Sequence, residues 1–99
     1  MFEIIFTARA NQILKDLEGE PSKAGLIKQI KKTLYFLQTN PRHPSLKTHE
    51  YESIPHPFSN NEKVFEAYAQ NKTPAAYRIF WCYGPKAKQI TVIAITPHP

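Results

Sequence analysis

The dipeptide Asn40-Pro41 divides this sequence into two parts that obey different periodicities. Proline disfavours helical dihedrals in the residue before it, so a helix arriving at Asn40 has to stop there. Upstream, apolar residues recur every three or four positions. Downstream come short apolar runs separated by prolines and glycine. A chain of 99 residues has room for one core. Helices and strands must therefore share it, and the expected class is α+β, with a single domain over residues 1–99.

Residues 2–6 (Phe-Glu-Ile-Ile-Phe) form a compact apolar run of strand length. Thr7 is placed to cap a helix whose stripe is Ala10, Ile13, Leu14 and Leu17, and which Gly19 and Pro21 terminate. Ser22 is the expected cap of a second helix, with Ile27, Ile30, Leu34 and Leu37 as its buried stripe. Lys23, Lys28, Lys31 and Lys32 lie largely off that stripe, either as a solvated face or as phosphate contacts. Beyond the break, residues 42–45 read as a loop and 47–53 as a polar strand. Residues 54–61, with two prolines and two asparagines, read as a second loop. Strands follow at 64–70, 77–83 and 90–96, the 77–83 segment being rich in aromatic residues. Short connections between successive strands imply an antiparallel meander. The predicted architecture is an N-terminal strand, a two-helix hairpin and a four-strand antiparallel meander, with the helices on one face of a twisted antiparallel sheet.

Thirteen Lys and Arg against eight Asp and Glu leave a net charge of +5 and an isoelectric point near 9.4. A surplus of that size on a small surface favours an anionic partner: nucleic acid, an acidic protein segment or a membrane face. Cys82 is the sole cysteine, so no intramolecular disulfide can form, and its apolar surroundings mark it as a buried thiol. The N-terminal run is too short and too acidic for a signal peptide, and no segment has the length of a membrane span. The expectation is a cytoplasmic protein without membrane contact. His43, His49, His56 and His98 lack zinc-site spacing, so no metal is expected, and no Gly-rich phosphate loop or Ser-His-Asp signature is present.

Four segments, in order, carry a resemblance. Asn40-Pro41-Arg42-His43-Pro44-Ser45-Leu46-Lys47-Thr48-His49 is similar to the junction between second helix and sheet in toxins of the RelE/ParE superfamily. Val64-Phe65-Glu66-Ala67 resembles their next strand, Tyr77-Arg78-Ile79-Phe80-Trp81 the strand after it, and residues 90–98 the closing strand with its terminal histidine. Tyr68 stands where members with this junction often carry arginine. The resemblance implies a toxin of a toxin–antitoxin pair, silenced by a cognate antitoxin protein. RelE-like members cleave messenger RNA on the ribosome without metal or cofactor, whereas ParE-like members inhibit gyrase. A relative that only binds RNA or protein is the remaining alternative.

Metal-free RNA cleavage requires deprotonation of the 2′-hydroxyl, stabilisation of the phosphorane and protonation of the leaving oxygen. Arg78 interrupts an apolar strand and is the candidate phosphate clamp, an ion pair with Glu66 being the alternative. His98, at the family's functional position, is the candidate proton carrier, or else an unstructured terminal residue. Tyr68 is the third catalytic candidate, able to stack on a base or donate a proton, or else a packed sheet tyrosine. Lys47 and His49, expected on one strand face, join Arg42 and His43 as RNA-binding candidates, or form an ordinary polar edge.

Overall fold

The computed structural model describes residues 1–97. Strand β1 (Glu3–Phe6) leads into α1 (Ala8–Glu18), a 3-10 turn at Pro21–Lys23 and α2 (Ala24–Thr39). A second 3-10 turn at Pro44–Leu46 precedes strands β2 (His49–Glu50), β3 (Phe65–Tyr68), β4 (Tyr77–Tyr83) and β5 (Gln89–Pro97). The sheet order is β1-β5-β4-β3-β2. Strands β2 to β5 form the antiparallel meander that the short connections imply. The sheet is thus mostly antiparallel, as expected, with β1 joining β5 in parallel, Ile4 opposite Ile90. The two helices return the chain before the meander starts, so the first strand enters beside the last in the same direction.

Thr7 explains how β1 hands over to α1. Its hydroxyl oxygen accepts from the Ala10 N–H at 3.1 Å and its O–H donates to the Ile93 carbonyl at 2.8 Å. One side chain thus caps the helix and fastens it to the central sheet. The second helix starts differently from expectation. Ser22 lies within the 3-10 turn, Lys23 occupies the cap position, and no side chain caps the helix. Its inner face is also rotated. Leu26, Ile30, Thr33 and Leu37 are buried, while Ile27 and Leu34 flank them half-buried. Thr33 is tolerated there because its hydroxyl lies within hydrogen-bonding distance of the carbonyls of Gln29 (3.0 Å) and Tyr68 (3.3 Å).

Both helices pack on one sheet face, against Ala67, Ile79, Trp81, Ile90, Val92 and Ile95. Val92 and Ile95 are an odd number of residues apart and would face opposite ways in a regular strand. A register shift resolves this: Phe80 pairs with Ala94 but Trp81 pairs with Val92, leaving Ile93 as the extra residue. The bulge sends Ile93 to the other face, where it packs with Val64, Cys82 and Ile54. That second face is not bare. The connection after β2 folds across it, Tyr51 resting on Phe80 at 4.6 Å between ring centroids. Phe80 and Cys82 are buried beneath. Burial, and secondly the negative charge of Glu62, push the Cys82 thiol up to about 11. Among the described residues, no helix is long and apolar enough to cross a membrane.

Candidate functional site

The site lies on the sheet face away from the helices, at its β2 edge. Alternation in β3 and β4 determines which side chains reach it. In β3 the core takes Phe65 and Ala67, leaving Glu66 and Tyr68 for the opposite face; in β4 the core takes Tyr77, Ile79 and Trp81, leaving Arg78 and Phe80. Tyr68 stands directly across from Arg78, and His49 directly across from Glu66.

Arg78 is only 8% exposed. Its Nη1 donates to the carbonyl of Gln70 at 2.9 Å and approaches that of Tyr77 at 3.4 Å. The guanidinium carbon sits 3.7 Å from the centroid of the Tyr68 ring, a stacked cation–π contact. Its Nε is buried and has no hydrogen-bond partner among the described residues. Backbone carbonyls and an aromatic ring therefore hold this charge in place. A buried donor left without a partner costs about 1–3 kcal/mol.

Glu66 is fully buried, and its Oε1 lies 2.5 Å from Nε2 of the half-exposed His49. The other ring nitrogen, Nδ1, is 3.2 Å from the carbonyl of Lys47. His49 thus faces a carboxylate through one ring nitrogen and a backbone carbonyl through the other. The pair is in contact with the cluster, since the His49 ring packs edge-on to Tyr68 at 6.0 Å.

Lys47 corrects a second expectation. It is not in a strand, since β2 spans only His49–Glu50, and its backbone is left-handed with φ of 48°. It still reaches the cluster because its ammonium lies 5.9 Å from the Tyr68 ring centroid. Arg42 and His43 do not join it. His43 accepts the Ser45 N–H at Nδ1 (3.0 Å), capping the 3-10 turn, and stacks on Phe36 at 4.1 Å. Arg42 is exposed, on the rim of a separate cleft. His98 lies outside the described residues.

The fold thus brings together Arg78, Tyr68, His49 and Lys47, with Glu66 as a fifth member that sequence reasoning had treated only as a possible ion-pair partner. Its signal was present: a carboxylate in an apolar strand, on the parity that faces away from the helices. Such an arrangement offers fixed positive charge, an aromatic surface and exchangeable protons within one patch. Among the described residues no group of three or more His, Cys, Asp or Glu side chains is placed to hold a metal ion.

No family model and no curated protein matches the sequence. Solved structures do match the fold over its full length. A YoeB/ParE toxin from Agrobacterium tumefaciens superposes with a TM-score of 0.72 at 9% identity, over 99% of this chain and 100% of that one. The YoeB dimer from Staphylococcus aureus gives 0.65 at 16% identity, over 99% and 98% of the two chains. An archaeal RelE-RelB complex from Pyrococcus horikoshii OT3 gives 0.65 at 14% identity, over 97% and 93%. The chain has the fold of toxin–antitoxin toxins of the YoeB, ParE and RelE type.

Proposed function

We propose that this protein is a RelE-like toxin of a toxin–antitoxin pair, a metal-independent endoribonuclease that cuts messenger RNA on the ribosome. The observation that carries this reading is the convergence of Arg78, Tyr68, Lys47 and the His49–Glu66 pair on one patch of a basic protein. The shared fold with YoeB and RelE supports it, and two of the matching structures are an archaeal RelE-RelB complex and the intact E. coli RelBE toxin–antitoxin complex. A cognate antitoxin protein is accordingly the expected partner, with messenger RNA on the ribosome as substrate.

In this mechanism Arg78 stabilises the non-bridging oxygens of the phosphorane. The Tyr68 ring covers its guanidinium in the free protein, so the scissile phosphate gains access as that ring turns aside to stack on a base. The phosphate then meets a donor that has no partner among the described residues, and the cost of that buried N–H is recovered when charge is highest. Lys47 contacts a flanking phosphate, and the His49–Glu66 pair supplies a proton to, or removes one from, the 2′-hydroxyl or the leaving oxygen. His98 would be the second proton carrier.

The burial of Arg78 also favours a second reading, a relative that binds RNA or protein without cutting, in which the stacked arginine is purely structural. Incubation with programmed ribosomes, followed by mapping of message ends, separates the two. Cleavage at defined positions that persists in EDTA is the expected result. Intact message with bound toxin establishes the binder, and inhibition of gyrase supercoiling without cleavage establishes a ParE-like activity.

A further inference from the structure

On the helix side of the sheet a cleft of about 480 Å³ opens between the 41–48 segment and the end of β4. Arg42, His43 and Lys47 form its rim, and Phe65, Trp81 and Tyr83 its floor. None of the described residues that line it is acidic, and Arg42 and Lys47 are exposed there. The aromatic rings are mutually fixed: Phe65 and Trp81 lie 4.9 Å apart, and Tyr83 meets Trp81 edge-on at 5.0 Å while remaining partly exposed. Trp81 Nε1 is buried and has no hydrogen-bond partner among the described residues. His43 accepts at Nδ1, so its Nε2 carries the proton and is a further donor. The volume falls in the range typical of small-ligand sites.

We propose that this cleft is a nucleotide subsite, in which one RNA base stacks on the aromatic floor while its phosphate sits between Arg42 and Lys47. The inference rests on the reading of the protein as an RNA-acting toxin, and extends it by placing a second contact away from the cleavage cluster. Lys47 connects the two, since it lines the cleft and also reaches Tyr68 on the opposite face. Strand β2 is only two residues long, so the sheet edge between them is narrow. An RNA strand bent over that edge places one phosphate at Arg78 and a neighbouring base in the cleft. A base suits the cleft better than an acidic peptide does. It has a flat face to stack on the partly exposed Tyr83 ring and a phosphate for the two cations, whereas a carboxylate side chain has no such face. The cleft then selects the nucleotide flanking the cut.

Trp81 is the sole tryptophan, so its indole gives a single side-chain N–H resonance that reports on the cleft. The full chain, labelled with nitrogen-15, is titrated with adenosine and uridine 5′-monophosphates, and separately with a hexaglutamate peptide. A saturable shift of the indole resonance with at least one nucleotide is expected, little changed in Arg78→Ala and weakened at least about 10-fold in Arg42→Ala. The remaining resonances of Arg42→Ala verify its fold, and Lys47→Ala provides a second variant with the same expected direction. An indole resonance unmoved by either nucleotide overturns the proposal, as does a shift lost in Arg78→Ala but kept in Arg42→Ala. Tighter binding of hexaglutamate than of either nucleotide overturns it in favour of an acidic protein partner. An indole shift without message cleavage leaves the subsite standing and removes the nuclease. Cleavage with an unmoved indole removes the subsite alone.

Discussion

The stack of Arg78 on Tyr68 is the contact on which both the stability and the chemistry of the patch turn, and a double-mutant cycle measures it. Arg78→Met removes the guanidinium while keeping most of the apolar stem, and Tyr68→Leu removes the ring. The charged hydrogen bond from Nη1 to the Gln70 carbonyl at 2.9 Å contributes about 1.5–3 kcal/mol, and the 3.4 Å approach to Tyr77 adds little. Loss of the unpartnered Nε–H returns part of that, because its burial costs about 1–3 kcal/mol. With the cation–π contact to Tyr68 lost as well, Arg78→Met alone should destabilise by about 1–3 kcal/mol. A cation–π contact contributes about 0.5–1 kcal/mol when exposed and about 2 when desolvated. At 3.7 Å, with Arg78 only 8% exposed and Tyr68 half-buried, a coupling of about 1–1.5 kcal/mol is expected. Urea unfolding of the wild type, both single variants and the double variant at a common m-value gives the coupling directly. Additivity to within about 0.5 kcal/mol would mean that the ring and guanidinium do not support one another.

Further outcomes follow from the burial and charge of individual residues. Ile30→Ala empties a fully buried position on the inner face of α2 and should cost about 2–5 kcal/mol, read as a lower urea midpoint, whereas Ile27→Ala on the half-buried flank should cost less. The Cys82 thiol is raised from 9.0 to about 11 in the folded protein, so the unfolded chain ionises first and stability contributed by this group falls as pH rises through that window. Cys82→Ser titrated over the same window should lack that part of the loss. Iodoacetamide should label native Cys82 far more slowly than the urea-unfolded chain at pH 8, and equal rates would show that the thiol is not buried. Lys47→Ala should weaken RNA binding and lower the slope of log affinity against log salt by about one unit, as expected for one lost phosphate contact.

How far the sequence foretells this structure depends on how local each determinant is. The strands at 77–83 and near 90–96 and the Thr7 cap are visible because alternation, aromatic content and capping chemistry act within a few residues. The inner face of α2 was misjudged because Thr33 is buried through a hydrogen bond to Tyr68, a residue from another element. The bulge at Ile93 is set by pairing across to Phe80 and Trp81, so no window along β5 alone reveals it. For the site, Tyr68 lies across from Arg78 only through the pairing of β3 with β4, whereas the residue types Arg78, Tyr68, Lys47 and His49 were legible. That Lys47 reaches them from a left-handed turn was not, nor that Glu66 pairs with His49. Arg42 and His43 follow the same run of sequence but turn to the helix side, because Pro44–Leu46 forms a 3-10 turn capped by His43 itself.

The central claim is that the patch around Arg78 cleaves RNA through charge stabilisation in the transition state. Single-turnover cleavage of a defined message on saturating programmed ribosomes, with ribosome affinity measured separately, tests it most directly. The phosphorane carries more charge on its non-bridging oxygens than the ground-state phosphate, so Arg78→Ala should slow cleavage by about 100-fold or more while affinity changes far less. Wild-type protein that binds the ribosome and leaves the message whole, or an Arg78→Ala variant that cleaves at the wild-type rate, would contradict it.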